Sequence, residues 1–339
     1  MEIFDVIVIG AGPAGLEASI RLGQQNHRVL LIEKEENIGG KLTQWDKLFP
    51  DFFSAKELLE ILQKKLNNNV QIVTKANLTD IYKENNIWNI VVNNNKYQTK
   101  SILIATGYNF FDAKRKEEYG YGIYPNVITS VELESMIGNG KITTLDGRIP
   151  QKIAYLQCVG SRDEKVGNHY CSINCCICAV KQSIEVKEIL PNVEQYCFYM
   201  DLRMSGQFYE ELYRQSQEKY QVQYIRGRVS EAASTIDNRI QIKAENTLLS
   251  TPLKLTVDLL VLMVGIEASA TTKFLAEKFD IANNYGFLTS KHRHFADNET
   301  IYDGLFLAGT CKRPMTIPKS IKDGASAATE IDFYLKNKQ

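Results

Sequence analysis

The sequence predicts an α/β protein of two domains, and three observations carry that expectation. An apolar run, Asp5 to Ile9, leads into Gly10-Ala11-Gly12-Pro13-Ala14-Gly15, and an Ala/Leu/Glu-rich segment follows to about Gln25. Near the other end, Asp303 to Thr310 (DGLFLAGT) reads as a second strand that runs into glycine. Between them stands a dense thiol motif, C-x12-C-x3-C-C, formed by Cys158, Cys171, Cys175 and Cys176.

The opening segment has the order that dinucleotide binding requires. An uninterrupted apolar strand bounded by glycine suits a parallel sheet buried on both faces. Gly10 permits a tight turn, Gly12 leaves room for a pyrophosphate against the backbone, and Gly15 lets helix and strand pack closely. Pro13 and Ala14 then open a helix whose free amides and dipole favour the anion. Arg28 to Ile32 (RVLLI) is the next strand, and Glu33 at its end, followed by Lys34, stands 18 residues past Gly15. An acid there accepts hydrogen bonds from ribose hydroxyls.

Composition limits the remaining classes. With 40 basic and 40 acidic residues among 339, neither nucleic acid nor an anionic membrane is an expected partner. No apolar run reaches the roughly 18 residues of a membrane-spanning helix, and no signal or transit peptide is expected. The chain therefore reads as cytoplasmic, without direct membrane insertion. Four thiols so close together in that setting point to metal or redox chemistry rather than structural disulfides, and four thiolates match an iron–sulfur cluster. Zinc, with His169 as a further ligand, and a dithiol/disulfide pair stand as alternatives.

Three segments favour FAD at the first site by resemblance to two-dinucleotide-domain flavoproteins of the thioredoxin reductase type. Gly39-Gly40-Lys41 follows the ribose acid closely; Ser101 to Gly107 (SILIATG) ends in Ala105-Thr106-Gly107; and Gly309-Thr310 closes the DGLFLAGT strand. Ile317-Pro318 then suits the first turn of a closing helix. The middle of the chain departs from that pattern. Where a second glycine-rich fingerprint would hold NAD(P)H, the strand Lys152 to Gln157 runs into Cys158-Val159-Gly160-Ser161-Arg162-Asp163, with one glycine. Strands are also expected at Glu194–Tyr199, Val222–Arg226 and Leu253–Val264, and a helix from Ser172 onward with Ser172 at or near its cap.

The chain resembles one family over nearly its whole length: the A subunits of heterodisulfide reductases and their relatives. The residues that carry this are YGYGIYPNVITSVELESMI (119–137), the cysteine segment 157–178, DLRMSGQFYEELY (201–213), YIRGRV (224–229) and LAGTCKRPMTIPKS (307–320). The resemblance implies a flavoprotein with an FAD domain at 1–112 and 285–339 and a second α/β domain at 113–284. It implies Gly10, Gly12, Pro13, Ala14, Gly15, Glu33, Lys34, Gly40, Lys41, Ala105, Thr106, Gly107, Gly309, Thr310 and Ile317 around FAD. It also implies Cys158, Cys171, Cys175 and Cys176 as ligands of a [4Fe–4S] cluster, with Cys178 as the reserve fourth ligand. The expected partners resemble the B and C subunits of heterodisulfide reductase, with a homodimer as a further expectation.

The chain has no C-x2-C-x2-C ferredoxin motif, so it resembles the short, single-cluster form linked to sulfur oxidation, which relays electrons rather than bifurcating them. A component of a quinone-interacting oxidoreductase and a free-standing NAD(P)H-dependent disulfide reductase are the alternatives. Cys311, after the flavin loop, is expected either near the flavin or in the core. Cys197 is expected in the core, and His292 and His294 in a solvated loop. Lys41 and Lys319 are expected either near the flavin or at the surface.

Overall fold

A computed structural model describes residues 2–338, which divide into two compact units. The first comprises residues 2–43, 56–109 and 267–338, and the second residues 44–55 and 110–266. The return to the first unit thus falls at Glu267, not at the expected residue 285. The reason is packing: Leu275, Ala276, Phe279, Ile281 and Leu288 are buried with Ile7, Ile102 and Leu307 in one apolar core. The excursion at 44–55 has no counterpart in the boundaries expected from the sequence.

In the first unit the strand Glu2–Ile9 lies between Val29–Ile32 and Asn95–Ile104, parallel to both, with Val70–Val73 beyond Val29–Ile32. Leu305–Leu307 adds in parallel to Asn95–Ile104, and Ile87–Val92 and Leu78–Glu84 continue antiparallel. Val6, Ile7 and Val8 are fully buried, as a two-sided parallel strand requires. The helices Pro13–Gln24 and Ile317–Asn337 pack on each other, and a Cβ on Gly324 would stand 2.2 Å from the Ala14 carbonyl oxygen. Only glycine allows that approach.

In the second unit five parallel strands run in the order Val127–Thr129, Leu259–Val264, Lys152–Val159, Glu194–Tyr199 and Gln223–Arg226. A separate antiparallel ribbon comprises Val229–Ser234, Ile240–Asn246 and Thr251–Val257. The single strand expected over Leu253–Val264 is therefore two strands in two sheets. The break is Asp258, whose carboxylate accepts the amides of Gln151 and Lys152 at 2.8 and 2.9 Å. The helix expected from Ser172 begins at Cys175. Ser172 is not its cap, because its hydroxyl accepts the Ile266 amide at 2.8 Å and its own amide donates to Ser161 Oγ.

Candidate functional site: a dinucleotide cradle and a four-cysteine loop

Register gathers the first site at one end of the first unit's sheet. Ile9, Ile104 and Leu307 are partners across adjacent parallel strands. The residues that follow them, Gly10, Ala105 and Ala308, therefore leave the sheet side by side at the strands' carboxyl ends, where open α/β sheets bind ligands. Gly10 has φ +104°, and a Cβ there would stand 2.4 Å from the Ala105 carbonyl oxygen. A Cβ on Gly15 would stand 1.9 Å from the Gly10 carbonyl oxygen, so this glycine serves close packing. A Cβ on Gly12, by contrast, would meet no protein atom within 4 Å. The space over the helix start is open, as a pyrophosphate cradle requires.

The remaining predicted residues surround that opening in different ways. Pro13 and Ala14 form the first turn of the helix. Gly40 approaches Gly12, with 2.9 Å between its virtual Cβ and Gly12 Cα. Glu33 is buried; its Oε2 accepts the Ala11 amide at 2.8 Å and its Oε1 the Glu35 amide at 3.0 Å. It therefore braces the glycine loop itself, a role the sequence does not suggest, and each oxygen keeps a second lone pair. Lys34 is exposed and pairs with Glu35 at 3.5 Å. Burial, and then the charge of Lys34, push the Lys41 ammonium below its ordinary value. Thr106 Oγ1 shares a 2.7 Å hydrogen bond with Thr272 Oγ1, and Gly107 has φ +66°. Ile317 opens the last helix, with Pro318 in its first turn and Lys319 exposed.

A charged network missed by sequence reasoning fixes the Gly309-Thr310 loop. The Gly309 amide donates to Asp323 Oδ2 at 2.6 Å, and buried Lys312 bridges Asp323 and Asp297 at 2.8 and 2.9 Å. Burial disfavours the Asp297 carboxylate, but hydrogen bonds from Arg313 and Lys312 outweigh it and hold the group well below the usual carboxylate range. Cys311 points away from this loop: it is fully buried in the core and its thiol donates to the carbonyls of Ala308 and Ile104 at 3.1 and 3.3 Å. Burial pushes it up to about 12.

The second site lies at the carboxyl end of the strand Lys152–Val159. The pairing register slips between Leu156 and Val159, and Cys158 has φ +60°. A bulge of this kind re-aims a side chain. The hydrogen bond from Cys175 draws the Cys158 thiol downward against the effect of burial, with the Arg162 charge adding to it, while Cys175 is pushed well up. Of the two, Cys158 is the readier to lose its proton. Cys176 Sγ donates to Gln157 Oε1 at 3.2 Å and receives the Arg203 amide at 3.5 Å, and burial raises it to about 11. Cys171, half-buried, accepts the Ile173 amide at 3.3 Å.

Cys175 and Cys176 open a helix that has no side-chain cap. Cys178, one turn on, is buried in the core, near the charges of Lys181 and Glu134. Cys197 is also core, accepting Gln157 Nε2 at 3.2 Å. His169, His292 and His294 are exposed.

Four thiols on a bulge, a loop and a helix start, with free amides and a nearby guanidinium, are the donor chemistry of an anionic sulfur cluster. Among the described residues no three His, Cys, Asp or Glu side chains form the shell of one metal ion.

The glycine of this loop contrasts with Gly12. A Cβ on Gly160, φ +72°, would fall 2.0 Å from the Phe111 ring. What would be open space in a nucleotide cradle is filled by a buried aromatic side chain.

Residues 4–154 match the pyridine nucleotide-disulphide oxidoreductase family. The A subunit of the H(2)/formate:CoB-CoM heterodisulfide,ferredoxin reductase of Methanococcus maripaludis is 31% identical, over 98% of this chain and 64% of its own length. The iron-sulfur A subunit of the CoB–CoM heterodisulfide reductase of Methanocaldococcus jannaschii has the same identity and coverage. The chain is thus similar over nearly its whole length to the A subunits of heterodisulfide reductases. It spans just under two thirds of the length of these relatives. Thioredoxin reductases of Lactococcus lactis and T. acidophilum share the fold, each at TM-score 0.69 and 18% identity, over 98% or more of both chains. No helix among the described residues is long and apolar enough to cross a membrane.

Proposed function

We propose that this chain is the electron-transfer component of a heterodisulfide-reductase-like complex, carrying FAD in the first unit and one [4Fe–4S] cluster on the second. The observation that carries this reading is the exchange at the second site. A fingerprint that would bind a nicotinamide cofactor is replaced by a bulged cysteine, and Phe111 covers the one remaining glycine. FAD exchanges one or two electrons and a [4Fe–4S] cluster one, so together they link two-electron chemistry to a one-electron chain.

The residues divide the work. Gly10, Gly12 and Gly15 with the first helix turn hold the diphosphate, Glu33 braces that turn and faces the ribose, and Gly40, Lys41, Ala105 to Gly107, Gly309, Thr310 and Ile317 line the rest. Cys158, Cys171, Cys175 and Cys176 hold the cluster. Substrate chemistry on a disulfide or sulfane sulfur is assigned to partners resembling the B and C subunits, in the cytoplasm.

Anaerobically prepared protein is expected to contain about four iron and four acid-labile sulfide per chain. Serine at 158, 171, 175 or 176 should lower both, and serine at 178 or 197 should not. Stoichiometric zinc without sulfide overturns the reading. Loss in Cys178→Ser with normal content in Cys176→Ser reassigns the fourth ligand.

A further inference from the structure

The loop between Cys158 and Cys171 carries one cation back onto the thiols. Arg162 has φ +55°, and its amide donates to the Tyr170 carbonyl at 2.9 Å, which folds the loop's two arms together. Asp163 anchors the same turn on buried Lys116 at 2.6 Å. The Arg162 guanidinium hydrogen-bonds the Asp201 carboxylate and lines one small cavity with Cys158, whose thiol its charge draws downward.

Asp201 is itself bound into the cysteine site. Its carbonyl lies 3.9 Å from Cys176 Sγ, and the Arg203 amide donates to the same sulfur. Arg203 Nη2 stands 3.5 Å from Asp201 Oδ2. A short charged chain, Arg162–Asp201–Arg203, therefore runs beside Cys176 and ends at the cavity that Cys158 lines. Arg162 is 22% exposed and Asp201 47%, so the guanidinium is the less screened of the two.

We infer that Arg162 and Asp201 are positioning residues that set the reduction potential of the group held by Cys158, Cys171, Cys175 and Cys176. Arg162 raises the potential; Asp201 fixes the guanidinium in place and offsets part of its charge. This rests on the cluster reading above. One electron, taken from dithionite, lowers the net charge at the cysteines by one, with no atom transferred. A fixed cation and a hydrogen bond to a ligand sulfur favour that more negative state. The guanidinium stays protonated throughout, so its effect is one of charge and position.

The test is a dithionite titration of whole protein followed by electron paramagnetic resonance, with iron content measured on each sample. Arg162→Gln should shift the midpoint downward and Asp201→Asn upward, with Arg162→Lys between wild type and Arg162→Gln. The flavin midpoint, read from the visible spectrum, should stay put. A structural ion pair alone would shift both variants the same way or neither, and that result overturns the inference. If Arg162→Gln loses its iron, Asp201→Asn and Arg162→Lys decide by the same opposition of sign. Wild-type protein without iron refutes the cluster reading itself, whereas iron-loaded variants with unchanged midpoints refute only the charge pair.

Discussion

Lys181 Nζ lies 2.5 Å from Glu134 Oε1, and each side chain is 1% exposed. The same ammonium reaches Glu185 at 3.0 Å and the Lys47 carbonyl at 2.8 Å, and lies over the Trp45 ring. Glu134 also accepts the Asp46 amide at 3.0 Å and the Gln182 amide group at 2.8 Å. One cation thus holds two helices, Ser130–Gly138 and Cys175–Ile189, and the excursion at 44–55 together in the second unit. The second of those helices begins with two of the cysteines.

Removing the cation should be severe. Lys181→Met leaves two buried carboxylates without a counterion, and losing one partner of a buried ion pair costs about 3–5 kcal/mol. Urea unfolding should show the midpoint falling at an unchanged slope. Glu134→Gln keeps the shape and should cost less.

Glu185 makes the same cluster sensitive to pH. Burial, with the charge of nearby Glu134, raises Glu185 from 4.5 to about 7 against the pull of the Lys181 ammonium. The folded state therefore keeps a proton that the unfolded chain has already released. This group's contribution to stability is full below 4.5 and lost as pH rises through about 7. Glu185→Gln should gain on the wild type as pH goes from about 5 to about 8, by on the order of 2–3 kcal/mol. Urea midpoints of both proteins across that range give the difference, and parallel curves would refute it.

Gly12 and Gly15 should fail differently. A Cβ at Gly12 meets no protein atom within 4 Å, so Gly12→Val should fold with an unchanged circular dichroism spectrum and lose its flavin absorbance near 450 nm. Gly15→Ala drives a methyl group into the Gly10 carbonyl at 1.9 Å, so fold and flavin should go together. Full flavin content in folded Gly12→Val would move the binding site elsewhere.

The first unit is largely legible in the sequence because its signals are local. Strand, glycines, helix and acid fall within 33 residues, and their spacing is set by one turn of backbone. Spacing assigns Glu33 a ribose role, but its bond to Ala11 depends on the strand end curling back, which spacing does not encode. In the second unit the decisive features are tertiary. Nothing in SINCCICAV shows that Ser172 is claimed by Ile266, so a helix start read from that segment falls three residues early. Nothing local to Asp258 shows that it caps two amides more than a hundred residues away and splits one apolar run into two strands. The bulge at Cys158 and the Phe111 ring over Gly160 depend on neighbouring strands and a distant segment, so the sequence shows the missing fingerprint but not what fills its place.

That filling decides what reduces the flavin. A nicotinamide cofactor needs its pyrophosphate against backbone amides at a glycine turn, and most of what an enzyme supplies to hydride transfer is orientation of the ring thus held. In this chain the only glycine of the turn carries the Phe111 ring, 2.0 Å from where a Cβ would be, and the strand before it is bulged at Cys158. NADH and NADPH, even at millimolar concentration, should therefore bleach the flavin slowly or not at all, while dithionite reduces it readily. Stopped-flow mixing under anaerobic conditions separates the cases. Bleaching within seconds by either nucleotide would restore the free-standing disulfide reductase, because the cofactor would then have a binding site that this turn does not supply.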